Sequence, residues 1–352
     1  MPTRIHLIPE TPAHGPVYAS AEIRLLRPYQ HASLSWAWNV SSGRNVPAER
    51  IDVVVTQRAG PIGASPGEIH ELVRATRRIG AKLVVDLDDN LLVEHASPIV
   101  ERGLRTLRWR VRWLLREADA VIVSTPALAR VVSHLARKVY VFRNALDETM
   151  IVDRKDRGAV GGDIGYFGTA SHLEDLMSVA EDLEEGFSRI PFRPLVELCG
   201  IADDDRLSAL LQRKADVSII PINPIYGDFM KEGQLRAPWT VAIAPLSSTP
   251  FNECKSDIKY LDYAMFGAAG VFSRSTAYAA VRDGETGIVV EPGEWGGAVL
   301  DLLNDRGKAK RIAAAAHDDL MSNRTLYQAA PRLKDLVTMI MDDDAPAAPI
   351  VG

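Results

Sequence analysis

Two lysines and a serine stand where a helix is predicted to begin, in the segment FNECKSDIKYLDYAMFG at 251–267. Ser256 is suited to cap that helix, and Lys255 and Lys259 fall on one side of it at ~100° per residue. The free backbone N–H groups and the dipole of a helix start attract anions, and two ammonium groups strengthen that attraction. The segment therefore predicts an anion site.

Asp262 lies on the same side of this helix, one turn beyond Lys259. A carboxylate at that position accepts hydrogen bonds from neutral hydroxyl groups. A phosphate site at one end of a helix and a hydroxyl site at the other is the layout that a sugar nucleotide requires. The alternative is an ordinary surface helix, in which a pair between Lys259 and Asp262 contributes only ~0.2–0.5 kcal/mol.

A single-glycine turn, GYFGTASHLED at 165–175, is the second candidate site. A predicted strand runs into Gly168 and Thr169, and a helix is predicted to begin two residues later. Gly168 allows a ligand to approach the backbone, Thr169 offers a hydroxyl group, and His172 is a candidate ligand contact. The turn matches neither a dinucleotide fingerprint nor a P-loop, so an ordinary strand-to-helix turn is the alternative.

The elements that must position these residues alternate between strand and helix, which predicts parallel sheets covered by helices. A chain of 352 residues is too long for one ordinary core, and the polar, glycine-rich stretch 147–163 predicts a linker. We predict an N-terminal Rossmann-like domain at 1–150, a C-terminal one at 151–341 and a disordered tail at 342–352. Predicted strands lie at 53–56, 83–85, 121–123, 139–142, 164–167, 195–199, 217–220, 241–244, 270–272 and 287–290.

The predicted fold class is therefore α/β, with two Rossmann-like domains facing across a cleft. Open parallel sheets bind ligands outside the carboxyl ends of their strands, so both candidate sites are expected in that cleft.

Composition excludes several classes of protein. The formal net charge of −5 argues against a nucleic-acid partner. Two cysteines, Cys199 and Cys254, are too few for a disulfide framework or a zinc site. The N-terminus has no signal-peptide run, and no stretch reaches the ~18 apolar residues of a spanning helix. We expect a cytoplasmic protein.

Four segments, in this order along the chain, resemble the retaining glycosyltransferases of the GT-B fold, family four in the sugar-enzyme classification. More narrowly, they look like a subgroup encoded with surface-polysaccharide pathways. The segments are 118–129 with 139–147, 164–176, 241–273 and 281–292. The resemblance implies a nucleotide-sugar donor held mainly by the C-terminal domain, transfer with retention, and no metal or other cofactor.

Individual residues follow from the resemblance. Asp262 matches the second of two glutamates seven residues apart and would bind ribose, whereas Cys254 stands at the place of the first. Lys255, Ser256 and Lys259 match the K-S-x-x-K segment of the subgroup. The arginine and lysine that relatives bring to the diphosphate from the glycine turn are missing here, and the two lysines would supply that charge.

The segment DLDDN at 86–90 follows a predicted strand. Asp-x-Asp after a strand is the Mg²⁺ or Mn²⁺ site of a different glycosyltransferase fold, and the two-sheet pattern argues against it here. By resemblance, Asp88 lies where relatives carry a histidine near the donor sugar, so we expect it to face the cleft. The alternative is a capping aspartate.

An arginine-rich helix is predicted at 99–117, with Trp109 and Trp113 one turn apart. Such a helix could lie on anionic lipid at the inner face of the membrane, which suits a glycan or lipid-linked acceptor. The alternative is a helix packed on the sheet with its arginines in water. The N-terminal loop 12–24 is expected to shape the acceptor site, with His14, Gly15, Tyr18 and Arg24 as candidates.

Two rival functions remain open. A nucleotide-sugar epimerase of the same fold would consume donor without an acceptor. A catalytically inactive, glycosyltransferase-like subunit would instead bind a partner enzyme.

Overall fold

The computed structural model describes residues 2–12, 14–153, 162–201, 205–236 and 239–342. Its first sheet has the strand order β2-β1-β3-β4-β5-β6, and every pairing is parallel. The strands are β1 (Thr3–Ile8), β2 (Trp38–Ser42), β3 (Val53–Gln57), β4 (Lys82–Leu87), β5 (Ala120–Val123) and β6 (Val139–Val141).

The second sheet has the order β12-β11-β10-β7-β8-β9, again all parallel. Its strands are β7 (Ile164–Phe167), β8 (Leu195–Cys199), β9 (Asp216–Ile220), β10 (Val241–Ala244), β11 (Ala269–Ser273) and β12 (Ile288–Val290). Two parallel, helix-covered sheets confirm the predicted α/β fold class. All six strands of the second sheet were predicted, whereas β1 and β2 of the first were not.

Twelve α-helices of the described chain connect and cover the strands. They are α1 (Ala19–Ala21), α2 (Arg27–Tyr29), α3 (Pro66–Arg78), α4 (Pro98–Glu117), α5 (Pro126–Val132), α6 (Leu173–Phe187), α7 (Asp205–Leu211), α8 (Tyr226–Leu235), α9 (Ile258–Phe266), α10 (Trp295–Asn304), α11 (Arg306–Asn323) and α12 (Leu326–Met341). A π-helical stretch, Glu22–Leu26, joins α1 to α2.

Local signals set the ends of these helices, as α3 illustrates. Ser65 accepts a hydrogen bond from the backbone of Glu68, whose carboxylate accepts one from the backbone of Ser65 in return. This capping box satisfies two N–H groups that a helix start leaves unpaired. Gly80 follows the last turn with φ +72°, a backbone conformation that favours glycine.

Alternation along the strands builds the core of the first domain on both faces of its sheet. Val54 of β3 faces α3, α4 and α5, while its neighbours Val53 and Val55 face the opposite side. Each fully buried valine or leucine contributes roughly 1.5–3 kcal/mol of transfer free energy. The buried strands β3 and β5 are therefore largely apolar, as expected of strands covered on both faces.

The opposite face of the first sheet is covered by α12, at the far end of the chain. Leu333, Leu336 and Val337 of this helix lie in one cluster with Ile5 and Leu7 of β1. The chain thus leaves the first domain after β6, forms the second sheet, and returns. The boundaries 1–150 and 151–341 stay predictions, and the return of α12 is a feature that the sequence pattern did not indicate.

The predicted tail at 342–352 lies outside the described residues apart from its first residue. Among the helices that are described, none combines the length and the apolar character needed to cross a membrane.

Shortening Leu333 to alanine should lower the stability of the protein, because this fully buried side chain joins α12 to the first sheet. A loss of roughly 2–5 kcal/mol is expected for a leucine of this kind. Urea denaturation measures it, with exposed Lys310→Ala as the control. An equal free energy of unfolding in the two variants would show that α12 does not hold the first domain together.

Candidate functional site

The carboxyl ends of both sheets face each other, and the segment between β10 and α9 spans the crevice. Helix α9 begins at Ile258 with Asp257, not Ser256, at its N-cap. The predicted cap is therefore wrong by one residue. The Ser256 hydroxyl instead accepts a hydrogen bond of 2.8 Å from Asn144 of the first domain. Both oxygens of Asp257 accept hydrogen bonds from Arg324, at 2.8 and 2.9 Å.

Further contacts fix this segment to the first domain. Asn90 donates to the carbonyl of Pro250 at 3.2 Å, and Thr125 donates to the carbonyl of Cys254 at 2.9 Å. Cys254 itself is buried in the core cluster of the first domain. Burial raises the pKa of its thiol. The residue at the place of the expected first glutamate therefore packs as a small apolar group rather than facing the crevice with a charge.

Lys259 lies on α9, and its ammonium group is buried. Nζ donates a hydrogen bond of 2.7 Å to the carbonyl of Phe167 and lies 4.0 Å from the ring centroid of Tyr166. Burial, followed by the charge of Lys255, lowers the pKa of Lys259 to about 7. An ammonium has three N–H donors, so two more can serve a ligand.

Lys255 reaches from the second domain to the first. Its Nζ lies 3.6 Å from a carboxylate oxygen of Asp89 and 4.9 Å from the ring centroid of Phe251. The distance to Asp89 is long for a direct hydrogen bond, so this contact is an ion pair without tight geometry. Lys255 is thus a mostly buried cation at the crevice that is only loosely held.

His172 lies in the glycine turn, close enough to Lys255 and Lys259 for their charges to act on its ring. Its Nδ1 lies 3.2 Å from Asp175, whose carboxylate can only accept, so Nδ1 carries the proton. Burial, followed by the charges of Lys255 and Lys259, lowers the pKa of His172 to about 3. The ring is therefore neutral near pH 7, and its Nε2 is a hydrogen-bond acceptor.

Asp175 is not among the predicted site residues, although it stands one helical turn after His172. Its other oxygen accepts hydrogen bonds from the backbone of Ser247 at 2.9 Å and from Asn252 at 2.8 Å. Asp175 thereby ties the glycine turn to the segment that carries Lys255. The spacing of three residues within a helix was the available signal.

The glycine turn packs closely against a neighbouring tyrosine, and the predicted approach of a ligand to Gly168 stays a prediction. A Cβ added to Gly168 would lie 2.8 Å from the hydroxyl of Tyr166, so only glycine fits without a shift. Thr169 is exposed, and its hydroxyl lies 2.7 Å from that of Ser171. These hydroxyl groups stand at the open side of the turn.

Asp262 is buried further along α9. One of its oxygens accepts a hydrogen bond of 2.6 Å from the hydroxyl of Tyr226, a residue that the sequence analysis did not single out. Burial raises the pKa of Asp262 to about 7, against the opposing effects of Tyr226 and Lys259. Asp262 is thus a half-protonated group near neutral pH with one oxygen already engaged.

Asp88 is held by Arg58, which donates hydrogen bonds to both of its oxygens, and its predicted place in the cleft stays a prediction. Burial alone would raise the pKa of Asp88, and the charge and hydrogen bonds of Arg58 outweigh it, so the pKa is lowered. Arg58 also binds Glu10 and Asp89 at 3.0 and 2.9 Å. Of the non-glycine residues described, it alone has a positive φ, +51°. A strained backbone of this kind is concentrated at functional sites.

A guanidinium group thus occupies the centre of the acidic cluster formed by Glu10, Asp88 and Asp89. Within the described ranges, no group of three or more histidine, cysteine, aspartate or glutamate residues could hold a metal ion. The expectation that no metal is needed stays a prediction.

Arg24, an acceptor candidate from the N-terminal loop, has a structural role instead. It is fully buried, pairs with Asp86 through two hydrogen bonds of 3.0 and 2.8 Å, and donates to Asn144 at 2.8 Å. Asn144 in turn donates to Ser256, so Arg24 holds this side of the crevice in place through Asn144. Because its side chain is fully buried, Arg24 cannot contact an acceptor. His14, Gly15 and Tyr18 of the same loop are exposed.

Helix α4 packs on the first domain through Val111 and Leu114 and turns its basic side outward. Trp109 is 42% exposed, whereas Trp113 packs edge-on against His70 at 4.4 Å between centroids. The exposed arginines of this side are Arg102, Arg105, Arg112 and Arg116. One side of α4 therefore packs on the core and the other carries exposed arginines. Contact of that exposed side with lipid stays a prediction.

No family model matches the chain, and no curated protein matches it. Solved structures do. Anabaena Alr3699/HepE in complex with UDP-glucose matches with a TM-score of 0.64 at 16% identity, over 95% of this chain and 99% of that one. Sucrose-phosphate synthase from Thermosynechococcus elongatus matches with a TM-score of 0.62 at 15% identity, over 96% and 99%.

TarM matches with a TM-score of 0.58 at 9% identity, over 83% of this chain. The match covers 55% of TarM, so this chain spans about half of that protein's length. At such identities the matches show the fold, which is the GT-B arrangement of two facing Rossmann-like domains.

Replacing Lys259 with methionine should remove a pH dependence of stability. The pKa of this lysine is about 7 in the folded protein and 10.5 as its ordinary value, so between these pH values the unfolded state binds more protons. Lys259 therefore makes the free energy of unfolding rise as the pH increases from 7 towards 10. Urea denaturation at pH 7 and pH 9 should show this rise in the wild type and in Lys310→Met, but a smaller one in Lys259→Met. Equal rises in all three proteins would contradict a lowered pKa.

Proposed function

We propose that the protein is a glycosyltransferase that moves a sugar from a nucleotide-sugar donor to a hydroxyl group of a glycan or lipid-linked acceptor. The observation that carries this proposal is the convergence of Lys255, Lys259 and His172 at the crevice between the two sheets. The fold supports it, because solved structures of the same fold include a glycosyltransferase and complexes with UDP and UDP-glucose. We take UDP as the donor nucleotide for the same reason.

Negative charge builds on the departing diphosphate as the bond to the sugar breaks. Lys255 is a mostly buried cation, and Lys259, whose pKa is lowered to about 7, would be held in its charged form by a bound diphosphate. Cations fixed in place stabilise such charge most where water is excluded. Lys259 has one protein acceptor, and Lys255 has only a 3.6 Å ion pair with Asp89. Both can therefore turn to a diphosphate at little cost. Two ammonium groups provide the charge that a metal ion provides elsewhere, so the proposed reaction is independent of metal.

The other contacts to the donor are assigned from where the residues lie in the fold. Gly168 and Thr169 would approach the diphosphate from the glycine turn, with the backbone at the N-terminus of α9 opposite. Asp262 would hold the ribose through the carboxylate oxygen that Tyr226 leaves free. His172 is a neutral acceptor at Nε2, which suits a sugar hydroxyl better than a phosphate oxygen.

Retention is the stereochemical outcome that the family resemblance implies. The buried Cys254 at the place of the first glutamate supports a mechanism without a protein nucleophile, because a thiol with a raised pKa is a poor one. The departing phosphate itself would then take the proton of the acceptor hydroxyl. Closure of the two domains would exclude water and limit hydrolysis of the donor.

A lipid-linked acceptor would bring the protein to the cytoplasmic face of a membrane, and we propose a role in surface-polysaccharide biosynthesis. The outward side of α4 supports peripheral contact, since four exposed arginines flank the half-exposed Trp109. Basic residues near anionic lipid contribute ~1 kcal/mol each.

Changing Lys255 to alanine should weaken UDP binding roughly ten- to a hundredfold, because a charge-assisted hydrogen bond is worth ~1.5–3 kcal/mol. Calorimetry measures the affinity, with Lys310→Ala as the matched control on the same domain. Unchanged affinity in Lys255→Ala would remove this lysine from the site.

A donor-turnover assay separates the proposed transferase from its rivals. Slow release of UDP from a UDP-sugar without acceptor is expected of a transferase. Interconversion of UDP-sugars would instead identify an epimerase, and inertness towards every donor would identify a non-catalytic subunit.

The lipid contact of α4 is tested by replacing Arg102, Arg105 and Arg112 together with glutamine. Binding to phosphatidylserine-containing vesicles should fall at least tenfold in a sedimentation assay, and binding to neutral phosphatidylcholine vesicles should stay weak. The control replaces three exposed cations of the second domain, Arg213, Lys214 and Lys310, in the same way. Equal losses in the two triple variants would leave net charge, and not α4, as the cause.

A further inference from the structure

A second cavity lies between the domains, beside the crevice that holds the two lysines. It has a volume of about 220 Å³. Its first-domain wall follows β5 and β6 and carries Arg130 and Arg143, and its second-domain wall follows β10 and β11. Whole small-molecule sites occupy ~300–1,000 Å³, so this cavity fits part of a ligand.

The hydroxyl groups of the cavity wall have no free protons to donate to a ligand. Ser124 donates its hydroxyl proton to the carbonyl of Asp88, and Thr125 donates to the carbonyl of Cys254. Thr276 donates to the carbonyl of Glu253. Because these three hydroxyl protons are already used, the lining hydroxyl groups offer a ligand only acceptor oxygens.

The two arginines are different. Within the described part of the chain, neither the Arg130 nor the Arg143 guanidinium makes a hydrogen bond or an ion pair, and both side chains are exposed to the cavity mouth. The carboxylate of Asp257 in the same wall is neutralised by Arg324 at 2.8 Å. Two unpaired guanidinium groups against a single unpaired carboxylate, that of Glu253, leave the cavity with a net positive charge.

The rest of the wall gives room for a ligand. Its non-polar members are small, namely Pro126, Ala127, Ala277, Ala279 and Ala280. Guanidinium groups bind planar pairs of oxygen atoms on carboxylates and phosphates through two parallel hydrogen bonds. Space next to two free guanidinium groups therefore favours a phosphate or a carboxylate.

The cavity is also next to the proposed reaction centre. Lys255 lines it and belongs to the cation cluster of the crevice, while Ser124 of its wall is bonded to the backbone of Asp88. A ligand seated here has its other end close to the donor sugar.

We infer that the cavity between Arg130 and Arg143 binds an anionic group, a phosphate or a carboxylate, carried by the acceptor. This inference rests on the proposed function, and it narrows the acceptor to a charged glycan or a phosphate-linked one. The proposed diphosphate site, at Lys255 and Lys259, is adjacent, with Lys255 on the boundary between the two.

The test uses the full chain saturated with UDP, so that the crevice is filled. Glucose 6-phosphate and glucuronate are the anionic probes, glucose is the uncharged probe, and inorganic phosphate represents a free anion. Affinities are measured by NMR titration for the wild type, for the double variant Arg130→Gln/Arg143→Gln, and for Arg137→Gln, an exposed arginine of the same domain that lies outside the cavity.

The wild type should bind both anionic sugars at least tenfold more tightly than glucose. The double variant should lose at least tenfold of that affinity while it keeps its affinity for UDP and its Tm, and Arg137→Gln should match the wild type. Equal binding of charged and uncharged sugars, or an unaffected double variant, would overturn the inference. Inorganic phosphate binding as tightly as the sugar phosphate would overturn the acceptor assignment and identify a free-anion site.

Failure of the proposed function has a separate signature. If the wild type does not bind UDP, the same titrations without UDP still decide whether the two arginines form an anion site, and the acceptor assignment falls with the function.

Discussion

The segment between β10 and α9 is held against the first domain by side chains that follow three neighbouring strands, β4, β5 and β6. Asn90, Thr125 and Asn144 each bond to this segment. The lysines of the crevice depend on that attachment, because Lys255 lies within the segment and Lys259 begins the helix after it. A stretch of the second domain is thus held by the first, and Lys255 is the member of the cation cluster that pairs with a first-domain residue, Asp89.

Buried charge is the second constraint on the crevice. Arg24 with Asp86, and Arg58 with its three carboxylates, place ionic groups at the carboxyl ends of β1, β3 and β4. Removing one partner of such a group typically costs 3–5 kcal/mol, since the other charge is left buried and unpaired. These groups fix the walls of the crevice, whereas the two lysines, with fewer protein partners, stay available to a ligand.

The sequence predicted what local pattern determines. Buried parallel strands are short apolar runs, so all of the second sheet could be located. Strands β1 and β2 were not predicted because each mixes apolar with polar residues, as in TRIHLI and WNVSS. Lys259 and Asp262 could be grouped because helical periodicity alone puts them on one side of α9. Lys255 precedes α9 with an extended backbone, so its predicted place on that helix is wrong. Arg58 and Asn144 could not be grouped in this way, since their partners lie 30 and 112 residues away and only the tertiary fold brings them together.

The return of α12 to the first sheet has a consequence for how the protein forms during synthesis. One face of that sheet, including Ile5 and Leu7, is covered in part by Leu25, Tyr29 and Leu34, and its cover is complete only when a helix beginning at Leu326 has left the ribosome. Strand β1 is therefore made long before the helix that completes its cover. Until α12 is made, the nascent chain carries a partly uncovered apolar sheet face, a surface of the kind that chaperones shield.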